Sequence, residues 1–217
     1  MPSPSEAQSH ARYPLTTILG SAGNVRVLRA LVNDALPQSA PHLARQAGLS
    51  PQGTRLVLDA LARQQLVKVH GSGRAQLHTL NPAHSFAAAL GALFQQERER
   101  WEHLLARIRE RLARPEDGVD AAWLYGSVAR GDDTARSDLD LAILVSSHEL
   151  ADRLREELLP LESELQLSIS LTALTHRDLA AIPDGDPWWS GVVRDARVLK
   201  GAAPETAKRQ IGQQVAV

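Results

Sequence analysis

Two short strings in this chain carry residue types that do chemistry together: Gly126-Ser127-Val128-Ala129-Arg130-Gly131 and, five residues on, Ser137-Asp138-Leu139-Asp140-Leu141. The first follows the apolar run Ala121 to Tyr125, so a strand ends at Gly126, where the backbone can turn tightly and an anion can approach. Ser127 offers a hydroxyl and an N–H at what the pattern makes a helix N-terminus, a position that favours phosphate oxygens. Asp138 and Asp140 open the next strand two residues apart, so both carboxylates point to one face. Paired hard oxygen ligands suit Mg²⁺ (or Mn²⁺) together with substrate phosphates. A phosphate cradle, a short loop and a carboxylate pair describe a nucleoside-triphosphate site.

This string resembles the DNA polymerase beta-like nucleotidyltransferase superfamily, in particular its minimal nucleotidyltransferases. The resemblance rests on Gly126-Ser127 and Asp138-Leu139-Asp140, with Arg130-Gly131 and Ser137 as companions, and covers about residues 118–200. It implies that Gly126, Ser127, Arg130 and Ser137 bind the nucleotide, and that Asp138 and Asp140 are the catalytic metal ligands. It also implies a third carboxylate on a neighbouring strand. The matching stretch, Leu165 to Ala173, offers Ser168, Ser170 and Thr172 instead; Glu164 and Asp178 lie outside the expected place. A neutral hydroxyl is a poor Mg²⁺ ligand, so binding is expected to outlast transfer.

The elements that position these residues read as an α/β chain of two domains. Residues 1–13 form a tail. Ser39 with Pro41, Gly48, and Ser50 with Pro51 are start and stop signals for helices over about 41–47 and from 51 onward. Leu66 to His70 and Ala75 to Leu80 alternate around a Gly-Ser-Gly tip, which marks a hairpin. This order resembles the winged helix-turn-helix domains of bacterial transcription regulators over residues 14–81. It implies that Gln52, Thr54 and Arg55 reach base edges and that Arg74 touches the minor groove or a phosphate. Residues 82–114 carry an apolar stripe at helical spacing, read either as a connector packed on its own domains or as a dimerisation surface.

Residues 115–202 then form the nucleotidyltransferase-like domain, a mixed sheet with flanking helices, with its boundary at Pro115-Glu116-Asp117-Gly118. Ser146-Ser147-His148-Glu149 reads as a capping box for a helix that Pro160 ends or kinks. Trp188-Trp189 is expected in the core, and residues 203–217 as a frayed tail.

Composition narrows the partners. The first 114 residues carry 14 Lys and Arg against 7 acids, the remainder 10 against 18, so a basic module precedes an acidic one. The basic half suits double-stranded DNA and the acidic half a metal. The absence of cysteine excludes disulfides and a thiolate zinc site. With no signal peptide and no apolar run of about 18 residues, the expectation is a cytoplasmic protein that engages no membrane. The favoured reading is a dimeric DNA-binding transcription regulator with a weakly catalytic or inactive nucleotide-binding domain. The alternative is an active, antitoxin-like nucleotidyltransferase that modifies a toxin-like protein partner or a small molecule.

Overall fold

The computed structural model describes residues 9–114 and 118–215, so residues 1–8 of the tail expected over 1–13 and the boundary residues Pro115 to Asp117 lie outside the described residues. The chain divides into two compact units, 1–100 and 101–217.

The first unit contains helices α1 (Leu15–Ile18), α2 (Ala22–Asn33), α3 (Ala40–Ala47) and α4 (Pro51–Arg63) and strands β1 (Gln38–Ser39), β2 (Val67–His70) and β3 (Leu77–Leu80). The strands form an antiparallel sheet in the order β1-β3-β2. The local signals act as read. Ser39 accepts from the His42 N–H, Ser50 accepts from the Gly53 N–H, and Gly48 ends α3 at φ +61. The core gathers Val27, Leu28, Leu31, Leu43, Leu58, Leu61 and Leu66.

Residues Ala87–Leu112 form one helix, α5. Its apolar stripe is consumed within the chain. Leu90 and Phe94 sit in the first unit's core, and Leu104, Leu105, Ile108 and Leu112 sit in the second's. Leu93, 51% exposed, is the large apolar residue left outside. The division between units therefore falls inside this helix, and most of the stripe is packed within the chain.

The second unit adds β4 (Val119–Tyr125), α6 (Gly126–Arg130), β5 (Leu139–Val145), α7 (His148–Leu165), β6 (Ile169–Leu174), α8 (His176–Ala181), α9 (Pro187–Asp195), β7 (Arg197–Lys200) and α10 (Pro204–Val215). Its mixed sheet runs β6-β5-β4-β7, with β5 and β6 parallel and the other neighbours antiparallel. One face holds Leu124, Leu141, Ile143 and Val145 against α7 and the end of α5. The opposite face holds Trp123, Ala142 and Leu144 against Leu179, Trp189 and Val192. Trp123 is fully buried, stacks edge-on with Trp189 at 5.8 Å, and donates to the Ala202 carbonyl at 2.8 Å.

Three expectations are corrected here. Helix α7 does not end at Pro160 but runs on to Leu165. Losing a helical hydrogen bond there costs about 3 kcal/mol, which burial of Leu154, Leu158 and Leu161 at roughly 1.5–3 kcal/mol each offsets. The N-cap residue of α7, Ser147, makes no side-chain cap; the capping box lies instead at Thr175 and Asp178 on α8. The expected tail after Ala202 is helix α10, because Ala207 and Ile211, one turn apart, are both buried in the second face's core. No helix among the described residues is long and apolar enough to cross a membrane. Ile211→Ala is therefore expected to destabilise the protein by about 2–5 kcal/mol, read as a lower urea midpoint; a tail would give no change.

Candidate functional site

The strand pairing builds the site before any side chain acts. Antiparallel register sets Tyr125, the last residue of β4, opposite Asp140 in β5. The chain then turns at Gly126, whose φ of +77 belongs to the left-handed region, and a Cβ there would collide with the Asp140 carboxylate. Helix α6 lasts little more than one turn before Gly131, at φ +82, donates its N–H to the Ser127 carbonyl at 2.8 Å. Gly126 and Ser127 are thus wound against the strand end that carries the carboxylates.

Asp138 is exposed just before β5, and Asp140 is half-buried within it. Burial raises the Asp140 pKa, the charge of Asp138 raises it further, and a hydrogen bond from Ser170 and the charge of Arg130 oppose the rise. The parallel register sets Ser170 beside Asp140 on the neighbouring strand. Two adjoining carboxylates with one held above its usual range form a site that a divalent cation would relieve. Two carboxylates of this kind suit a divalent cation that is bound together with phosphate oxygens.

Arg130 is exposed and pairs with two acids. Its guanidinium donates to Asp195 at 2.6 Å and to Asp132 at 3.2 Å. The Asp195 carboxylate, 4% exposed, also accepts from Arg194 at 2.8 Å. Arg194 chiefly, and Arg130 besides, hold its pKa down at about 2. Ser137 closes a small turn, its hydroxyl accepting from the Thr134 N–H at 3.0 Å.

The place of the third acid is now specific. In the parallel β5–β6 pairing Asp140 lies beside Ser170, while Ser168 precedes β6 and uses its carbonyl to accept from Leu139 at 2.8 Å. Glu164 faces His103 and Arg107 at 3.6 and 3.8 Å, and Asp178 is occupied by Thr175 and His148. Neither joins the pair. Among the described residues no group of three His, Cys, Asp or Glu could hold a metal.

Sequence reasoning missed two features of this site. Tyr125 stands opposite Asp140 in the sheet, the Trp188 indole donates to its hydroxyl at 3.2 Å, and that hydroxyl lies 3.5 Å from the Thr172 hydroxyl. The doublet Trp188-Trp189 packs as expected: Trp189 is buried in the second face's core, and Trp188, partly buried, packs against that core and edge-on against Tyr125. Asp195 held no sequence signal, being 65 residues from Arg130.

In the first unit, Gln52 and Arg55 are exposed on the first turns of α4. Thr54 is corrected: it is fully buried and its hydroxyl donates to the Ser50 carbonyl at 3.0 Å, so it faces the core and no base edge. Arg74 lies in a 3₁₀ turn, Gly73–Ala75, at the hairpin tip, and its side chain is outside the described atoms.

Residues 107–182 match the model of the family described as polymerase beta, nucleotidyltransferase. That stretch spans the turn at Gly126, the Asp138–Asp140 pair and β6, and ends before Trp188 and Asp195. No curated protein matches the chain. Several solved structures overlap it in part. A toxin-antitoxin complex with AMP-PNP is 18% identical over 53% of this chain and 86% of its own, at a TM-score of 0.36. The AntR antimony-specific transcriptional repressor is 20% identical over 46% and 86%, at 0.37. A tri-AMPylated Shewanella oneidensis HEPN toxin with its MNT antitoxin is 17% identical over 53% and 82%, at 0.33. At such scores the overlap carries no argument about activity or partners.

Two outcomes are expected. Because the charged form of Asp140 is disfavoured in the fold, Asp140→Asn should raise the melting temperature at pH 7 in chelator; a lower one would remove the like-charge argument. Asp195 behaves oppositely: its depressed pKa contributes stability that is complete above about pH 4 and lost as pH falls toward 2. The stability gap between wild type and Asp195→Asn should therefore shrink across pH 5 to 2 in denaturant titrations.

Proposed function

We propose that this chain is a DNA-binding transcription regulator whose second unit binds a nucleoside triphosphate with Mg²⁺ or Mn²⁺ and transfers nucleotide slowly or not at all. The observation that carries the reading is the pairing of Asp140 with Ser170, a hydroxyl at the position where the nucleotidyltransferase resemblance calls for an acid. Asp138 and Asp140 would hold the metal, which when bound supplies charge neutralisation for the triphosphate. Gly126 lets the backbone close on the phosphates, and Ser127 offers donors to them. Arg130, fixed by Asp195, adds a positive charge. Ser170 can hydrogen-bond Asp140 yet offers neither a charged ligand nor a base.

Support for the DNA-binding half comes from the first unit. Helices α3 and α4, the hairpin beyond them, and eight basic against three acidic groups over residues 1–81 fit a winged helix-turn-helix on duplex DNA. In this reading Gln52 and Arg55, both exposed on α4, would meet bases, and Arg74 the backbone or minor groove. A pseudo-palindromic operator would need a homodimer, formed through a surface other than the α5 stripe. The intact Asp138–Asp140 pair favours the second reading, an antitoxin-like nucleotidyltransferase acting on a toxin-like partner.

Calorimetry with ATP and Mg²⁺ decides the nucleotide claim. Wild type should bind, Asp138→Ala and Asp140→Ala should not, and equal affinities in all three end it. With labelled nucleotide and acceptor, Ser170→Asp should raise transfer by about 10²–10⁴-fold, the usual worth of a general base. Wild-type transfer at about 1 s⁻¹ or faster would instead establish the enzyme. On DNA, affinity should fall at least about tenfold between roughly 50 and 200 mM salt. Arg55→Ala should cost about 1–3 kcal/mol on a specific site; an unchanged affinity removes Arg55 from the interface.

A further inference from the structure

A cavity of about 580 Å³ lies within the first unit, where the start of α5 meets α2 and the hairpin. Its size is in the range of small-molecule sites. Leu31 of α2, Leu80 of β3, Pro82 and Gly91 of α5 give it an apolar wall, and Lys68 of β2 stands at it. Two observations point to a ligand. Gly91 leaves a gap where α5 should pack. It lies on the stripe that buries Ala87, Leu90 and Phe94, where a core-facing helix carries large apolar residues. A Cβ at Gly91 would meet no neighbouring atom within 4 Å, so no close approach calls for glycine there. Glycine inside a helix is destabilising relative to alanine; its effect here is to keep the space open. The polar groups, in turn, suit an anion. His70 and Thr79 are hydrogen-bonded to each other at 2.8 Å. No acid among the described residues lines the cavity, and the Lys68 ammonium makes no hydrogen bond or ion pair among them. An apolar space that ends at an unpaired cation complements a ligand with an apolar body and a negative end.

We infer that this cavity binds a small monocarboxylate with an apolar tail. The tail lies against Leu31 and Leu80 in the space over Gly91, and the carboxylate accepts from Lys68 Nζ. Binding at this place depends on neither the DNA reading nor the nucleotide reading.

The test titrates the full chain by calorimetry with hexanoate and octanoate, and with octanamide as the uncharged counterpart. Octanoate is expected to bind with a Kd of about 1 mM or tighter. It should bind about tenfold tighter than hexanoate, the worth of two buried methylenes. Octanamide should bind about threefold more weakly than octanoate, and Lys68→Gln should remove that difference. Gly91→Leu fills the space. It should abolish binding while holding or raising the melting temperature, since leucine is the better helix former; a glycine needed only for packing would give a lower one. If Gly91→Leu fails to fold, Gly91→Ala should still weaken octanoate and raise the melting temperature. A chain that binds neither acid, affinities indifferent to tail length, or a folded Gly91 variant that binds as wild type overturns the site. A preference for the acid over the amide that survives Lys68→Gln overturns the place of the carboxylate.

Discussion

The backbone of Gly126 lies against the carboxylate of Asp140, and the rest of the second unit's site depends on that approach. Any side chain at 126 would displace the carboxylate, and the left-handed φ would strain a residue that carried one. Given the approach, the register of β4 on β5 fixes the position of Ser127 relative to the carboxylates. The Gly126-Ser127 turn and the acid pair are one object, held by a strand pairing rather than by a loop.

Electrostatics explains what surrounds that contact. Asp138 and Asp140 repel each other, and the arrangement is tolerable because Asp138 is exposed and Arg130 stands near. Arg130 is in turn fixed by Asp195, a carboxylate sunk between two guanidinium groups and kept ionised to about pH 2. Ser170 gives Asp140 a hydrogen bond without adding a third negative charge. Asp140 is thereby less crowded by like charge than it would be beside a third acid.

The first unit follows a different logic. Its helix boundaries come from local caps, and its core from leucines at helical spacing, so it is assembled from short-range signals. The buried Thr54 belongs to that logic. It occupies a helix position that faces inward, and its hydroxyl is satisfied one turn back. A polar residue in the first turn of a helix that meets DNA is ambiguous in sequence, because burial with a backbone partner and exposure to a base are chemically equivalent. Only the direction of the side chain separates them.

The sequence by itself determined the Gly126-Ser127 turn, the two aspartates, the caps at Ser39, Ser50 and Gly48, and the strand character of β4, β5 and β6. Each is a local pattern whose physics acts within a few residues. Tertiary structure decided what depends on contacts between distant residues. Ser170 rather than Ser168 stands beside Asp140 because helix α7 runs on to Leu165 and delays β6. Pro160 stays helical because three leucines on its helix are buried, and the C-terminal segment is a packed helix because Ala207 and Ile211 meet a core built far upstream. Arg130 finds Asp195 across 65 residues, a distance over which no spacing rule operates and only packing can bring two charges together.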